Sequence, residues 1–211
     1  IVCIDSDDYM PENAVELILH HWLERGNSQV AGLIGMDYSV DGCPVGTPLP
    51  KRDTLDLVQV CVGKIPLSGD KKQVLRTDLL KKVAPMPVFP GEKNFNPYYL
   101  ILQVAKEYPF LVLDAPLCIV DYQSDGMTAN QWKQYINSPR SFFETRKLYL
   151  SLPGSNLKYR LRHSIHMVSS AILAGKPGAA LAESPCPLVT LLTYPLGILL
   201  SIWLRSKSCK Q

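Results

Sequence analysis

The stretch that decides the fold is IVCIDSDDYMPENAVELIL (1–19). It is a short β-branched apolar run, then carboxylates at Asp5, Asp7 and Asp8, then a proline ahead of a helix-period pattern. Ile1–Ile4 predicts a buried strand. Pro11 at a first helical position, with Glu12 in the first turn where the dipole favours an anion, predicts a helix. Val15, Ile18, Leu19, Trp22 and Leu23 continue it at helical spacing, and Gly26 ends it. A strand that closes on an acidic turn and feeds a helix is one unit of an α/β sheet. Ligands of such sheets sit at the carboxyl ends of the parallel strands.

Working outward, Gln29–Val40 reads as a strand, and residues 41–52, with two Gly and three Pro, as a loop. Thr54–Val62 fits helix or strand. KKQVLRTDLLKKV (71–83) predicts a strand ending near Arg76 and a short helix capped by Thr77. Four prolines make residues 85–99 a loop, from which Asn96 caps a helix over Pro97–Tyr108. PFLVLDAPLCIVDY (109–122) predicts two short strands around Asp114-Ala115-Pro116, and QSDGMT (123–128) a turn. Helices are expected over 129–136, 139–150 (Ser138 as cap, Pro139 first) and 155–174, then an apolar segment over 185–204. The fold class is therefore α/β, with a domain over 1–150 and a helical tail over 151–211. The element order also leads us to expect a βαβ portion ahead of Ile1.

Hydrophobic residues make up 46% and charged residues 19% of the chain, which excludes a disordered chain and a nucleic-acid arm. A formal charge of +3 calls for no polyanion partner, so nucleic acid is not expected. The six cysteines include no CxxC pair, and Cys3, Cys61 and Cys118 lie in apolar runs. They read as reduced thiols of a cytosolic protein.

Crowded carboxylates at a strand end repel one another unless a cation or hydrogen bonds compensate. If residues 5–7 are extended, Asp5 and Asp7 share a side and suit a hard divalent ion, Mg or Mn, that keeps positions open for phosphate oxygens. The competing reading is capping of the following helix by Asp7 or Asp8, with the other carboxylates solvated. An EF-hand loop is excluded, because its sixth position would be Met10 in place of Gly. A haloacid-dehalogenase-type phosphatase also opens with a strand and DxD, but it follows the second Asp with x-Thr or x-Val, where this chain has Tyr9. A nucleotide-sugar transferase, in which DxD holds the metal that bridges a diphosphate, is the third reading.

IDSDDYMPENAVELIL (4–19) closely resembles the hhhDxDD…P stretch of family-2 glycosyltransferases of the GT-A fold. GDKKQVLRTDLLKKV, the FPGEK loop and CIVDYQSDGMT follow in the same order as in that family. The set resembles the non-processive bacterial members that build cell-surface polysaccharides, and it covers residues 1 to about 150. The resemblance implies metal-dependent transfer of a sugar from a nucleotide-diphosphate sugar to a saccharide or lipid-linked acceptor. It implies Asp5 and Asp7 as the metal-binding DxD, with Asp7 the more direct ligand, and Asp5 also at the donor. It implies Glu92 of PGEKNF as the catalytic base, although relatives carry a Glu-Asp pair where Lys93 follows here. The Gln-x-x-Arg-Trp signature of processive polymerases is absent, and QWKQY (131–135) does not supply it. Asp125, Thr128 and Tyr122 lie in a loop that could cover the donor, position the acceptor, or serve only as turn residues. Arg76 and Lys71 could touch phosphate or be ion-paired. His163 and His166 share a helix face without a carboxylate cluster beside them. The alternative function is a non-catalytic fragment or interaction module.

PLVTLLTYPLGILLSIWL (187–204) carries no charge and is followed by Arg205, Lys207 and Lys210. Its length as a helix, about 27 Å, falls just short of a hydrocarbon core, and Pro195 and Gly197 interrupt it. A re-entrant or interfacial helix at the inner face of the cell membrane is the expectation, with Lys158, Arg160 and Arg162 as a second basic stretch.

Overall fold

The computed structural model describes residues 1–121 and 131–208. They form two compact units, one of Ile1–Pro85 with Leu100–Gln123, the other of Met86–Tyr99 with Ser124–Gln211.

The first unit is built on a four-stranded mixed sheet in the order β2-β4-β1-β3, from β1 (Gly32–Ser39), β2 (Thr54–Leu55), β3 (Lys71–Leu75) and β4 (Phe110–Val120). β1 and β4 are parallel; β3 and β2 flank them antiparallel. Phe110–Val120 is thus one strand, where two were expected. Its register against β1 slips between Ile34↔Val112 and Met36↔Pro116, so three residues of β4 oppose Gly35 alone. Pro116, which has no N–H to give a ladder, pairs with Met36 between this shift and a second one at Leu117. Gly35 is required there, because a Cβ would sit 2.4 Å from the Leu117 side chain.

α1 (Ala14–Arg25) covers one face of the sheet. Ala14, Leu17 and Ile18 pack on Leu113 and Leu117, and Ile18 and Trp22 on Val30, Leu33 and Leu111. The helix begins three residues later than Pro11 predicts, because residues 11–14 close a turn in which Ala14 N–H donates to Pro11 O at 3.0 Å. Gly26 ends it as expected, its N–H donating to Trp22 O at 2.7 Å. Val15, Leu19 and Leu23 are exposed, so half of the apolar stripe faces away from the sheet.

Ile1–Ile4 is not a buried strand. Val2 bridges Val74 and Ile1 exchanges main-chain hydrogen bonds with Leu75, both on β3, and Ile1 is 48% exposed. A β-branched run is buried when strands flank it on both sides, and this one has a ladder partner on one side only. The ambiguous 54–62 stretch resolves into β2 and a short helix α2 (Leu57–Cys61), whose N–H groups at Val58 and Gln59 donate to the Asp56 carboxylate. α3 (Thr77–Val83) starts at Thr77 and takes no side-chain cap from it. Asn96 does cap α4 (Tyr98–Ala105), accepting from Tyr98 N–H at 2.9 Å.

Two loops of this unit cross at glycines. A Cβ on Gly46 would lie 2.0 Å from Ser68 O, and one on Gly69 would lie 2.6 Å from Val45 O; both have positive φ. The buried Lys71 ammonium ties the crossing, donating to the carbonyls of Val45, Ser68, Gly69 and Asp70 at 2.8–3.4 Å.

The second unit is helical: α5 (Gln131–Asn137), α6 (Pro139–Ser151), α7 (Leu157–Leu173), α8 (Ala179–Ala182) and α9 (Pro187–Ser208). Phe143 and Leu150 of α6, Met167, Val168 and Ala171 of α7, and Ala180 of α8 form its core. Asn156 caps α7, accepting from Tyr159 N–H at 2.8 Å. The described structure is thus mixed α/β with a C-terminal apolar helix.

Candidate functional site

The carboxyl ends of the parallel pair β1 and β4 gather Asp8, Asp37, Lys72 and Cys118. The acidic stretch docks there through Tyr9, whose N–H and C=O exchange hydrogen bonds with Ile119 of β4 at 3.1 and 2.7 Å. Residues 5–8 are a turn and not an extended segment, since Asp8 N–H donates to Asp5 O at 3.1 Å. Asp and Ser favour such turns, and the alternation assumed for Asp5 and Asp7 does not hold. Both residues are nevertheless exposed, and among the described residues no hydrogen bond or ion pair engages either carboxylate.

Asp8 turns the other way. Its Oδ2 lies 3.9 Å from the Cys118 thiol, and its Oδ1 accepts from Asp121 N–H at 3.4 Å. Partial burial, aided by the neighbouring Asp7 and Asp5 charges, raises its pKa. Beneath it lies a group that the sequence reading missed. Asp37 of β1 is 1% exposed, and its Oδ1 has no hydrogen-bond partner. Its Oδ2 is 3.9 Å from Lys72 Nζ. Burial pushes the Asp37 carboxyl up to about 6 against the pull of Lys72. Burial lowers Lys72, but the Asp37, Cys118 and Asp8 charges outweigh it and leave its pKa raised. The Cys118 thiol is pushed up to about 11, mainly by burial, and is no nucleophile. Cys118 is the ladder partner of Asp37, and Lys72 is that of Gly35, so the side chains share one sheet face. The signal in the sequence was an Asp inside an otherwise apolar strand, GLIGMDYS.

Arg76 forks onto Asp78 at 2.6 and 3.2 Å and donates to Ser28 O and Val30 O. With Lys71 bound to carbonyls, both cations considered for phosphate have structural partners.

In the second unit, Glu92 lies at the N-terminus of α6. Oε1 accepts from Arg140 N–H at 2.8 Å; Oε2 accepts from Ser141 N–H at 2.8 Å and from the Ser141 hydroxyl at 2.6 Å. It takes the capping role expected of Ser138, which makes no side-chain cap bond. His163 and His166 lie beside a cation: Arg146 Nη1 is 2.8 Å from His163 Nδ1, and its Nη2 donates to Tyr135 Oη at 2.9 Å. A guanidinium only donates, so Nδ1 accepts. Burial, then Arg146 and Arg162, lower His163 to about 3 and His166 to about 4, so both are neutral. Asp125, Thr128 and Tyr122 lie outside the described residues.

Among the described residues, no three His, Cys, Asp or Glu side chains come together as a metal-holding group. What the acidic turn offers is two exposed carboxylates that are free among the described residues. That fits Mg or Mn completed by phosphate oxygens and waters, which needs one or two protein carboxylates, and does not fit a closed all-protein site. The chain matches no protein-family model, no curated protein and no solved structure.

Proposed function

We propose that the chain belongs to a metal-dependent glycosyltransferase of GT-A type that moves a sugar from a nucleotide-diphosphate sugar to an acceptor hydroxyl. The observation that carries the reading is the split among the three carboxylates. Asp8 is tied down on Cys118 and Asp121, while Asp5 and Asp7 stand exposed, and free among the described residues, at the carboxyl ends of a parallel strand pair. The capping alternative is not made, since α1 takes no side-chain cap.

In this reading Asp5 and Asp7 hold the ion together with the donor's phosphates. When bound, Mg or Mn supplies charge neutralisation for the departing diphosphate. Asp8 and Tyr9 fix the turn that presents the two carboxylates. The acceptor oxygen forms a bond to the anomeric carbon as the bond to the diphosphate oxygen breaks; the electron pair leaves with the diphosphate and the acceptor proton passes to a carboxylate. Glu92 is the base that the resemblance suggests. Its oxygens already serve α6, so a proton-accepting role has to coexist with the cap, and Asp125 is the second candidate.

The test is Asp7→Asn in the full chain. Titration with Mn²⁺ alone, and with Mn²⁺ plus a nucleoside diphosphate, should show affinity falling by about tenfold or more, with the circular dichroism spectrum unchanged. Undiminished Mn²⁺-dependent binding would refute the assignment.

A further inference from the structure

α9 is built inside out. The side it turns to α7 carries Thr190, Thr193, Gly197 and Ser201, each small and buried, before Leu204 closes the row. A Cβ at Gly197 would lie 2.5 Å from Val168, and the Thr190 hydroxyl lies 3.3 Å from that of Ser164 and 2.7 Å from that of Ser184. The other side carries eight exposed large apolar side chains. Leu188, Leu192, Leu196, Leu199 and Trp203 run along it at helical spacing, beside Ile202. A helix on a water-soluble core does the reverse, and monomers rarely show so large an apolar patch. Small and hydroxyl residues between helices with large apolar ones outside is the packing that lipid selects.

Charge says which way the helix lies. Pro187–Lys207 is apolar and long enough to span, about 31 Å. However, its inner face is packed along α7, with Ser164 at Thr190, Val168 at Gly197 and the Ile172 carbonyl at Arg205. α6, packed on the same stretch of α7 through Phe143 and Leu150, carries Glu144, Arg146 and Lys147, which would follow a spanning α9 into the hydrocarbon, where charge is costly. An in-plane helix submerges only the outer stripe. α9 holds no acidic residue, and Arg205 and Lys207 close it, with Lys207 Nζ 4.8 Å from the Trp203 ring centroid. Cations and an aromatic at the edge of an apolar stripe suit an anionic headgroup layer.

We propose that α9 lies in the plane of an anionic lipid leaflet, its Leu188–Trp203 stripe among the upper acyl chains and Arg205 and Lys207 among the headgroups. The surface stands independently of the transfer chemistry. The experiment is vesicle flotation of the full chain with phosphatidylglycerol/phosphatidylcholine vesicles and with phosphatidylcholine alone. Anionic vesicles should bind about tenfold more tightly, and Arg205→Gln with Lys207→Gln should erase that preference. Leu192→Glu with Leu199→Glu, both at exposed positions, should lower partitioning about a hundredfold or more. Depth is read from tryptophan quenching by lipids brominated at different acyl positions. Leu196→Trp is placed on a Trp203→Phe chain, and Trp203→Phe alone supplies the background of Trp22 and Trp132. In-plane binding predicts strongest quenching of Trp at 196 by the shallowest bromines. Strongest quenching by the deepest bromines, partitioning unmoved by the glutamates or by the loss of both cations, or a concentration-dependent dimer that ignores vesicles would each overturn the proposal.

Discussion

Glu92→Ala should cost the helical unit more than its half-exposed position suggests. The carboxylate receives Arg140 N–H, Ser141 N–H and the Ser141 hydroxyl, all within 2.8 Å, at the positive end of α6. Losing an N-cap acceptor costs about 0.5–2 kcal/mol, and losing an anion near a helix N-terminus about 0.3–1 kcal/mol. Ser141 is 4% exposed, so water cannot readily replace the lost partner, and a stranded buried donor costs about 1–3 kcal/mol. These contributions overlap, and we expect about 2–3 kcal/mol in all, a fall in Tm of about 4–10 °C for a chain of this size. Glu92→Gln keeps an acceptor oxygen and should lose about half as much. Urea denaturation followed by far-UV circular dichroism gives the stability, and hydrogen exchange at the Arg140 and Ser141 amides localises it. A loss below about 0.5 kcal/mol, or unchanged exchange at both amides, would refute the cap. The same pair of variants separates the two roles of Glu92. A base predicts turnover lowered about 10²-fold or more in Glu92→Gln, whereas a cap alone predicts turnover that follows the folded fraction.

Asp37, held near 6 by burial against an ordinary value of 3.8, makes stability fall as pH rises. Between about pH 4 and 6 the folded chain retains a proton that the unfolded chain has released, a slope worth up to about 3 kcal/mol. Asp37→Asn should flatten that stretch of the curve in denaturation series across pH, and an unchanged slope would sink the assignment. Gly197→Ala places a methyl 2.5 Å from Val168 and should destabilise the helical unit by about 1–3 kcal/mol, read by thermal melting; a neutral result would mean that α7 and α9 are less tightly apposed.

Elements whose signals are local were legible. The Asn96 cap, Pro139 at the head of α6, the Gly26 stop and the uncharged apolar run of α9 each act locally, and the structure carries them. What misled depends on partners distant in sequence. Ile1–Ile4 has the composition of a buried strand but a ladder partner on one side only. The Asp114-Ala115-Pro116 stretch looks like a break, yet a bulge against Gly35 carries β4 through it. Ser138 is the better cap by residue type, but a glutamate 49 residues before Ser141 reaches the site first. At the acidic turn, composition found the carboxylates and not their division of labour. Only the docking of Tyr9 on Ile119 separates Asp8 from Asp5 and Asp7 and brings it toward Asp37 and Lys72.

Lys71 spends its charge on four main-chain oxygens at the crossing of two loops, much as a chain might enclose a potassium ion. An ion can be exchanged; a side chain can only be inherited. Gly46, Gly69 and Lys71 therefore form a unit of descent, in which no single replacement is neutral and no two suffice. Among related chains, constancy at these three positions would record selection for folding.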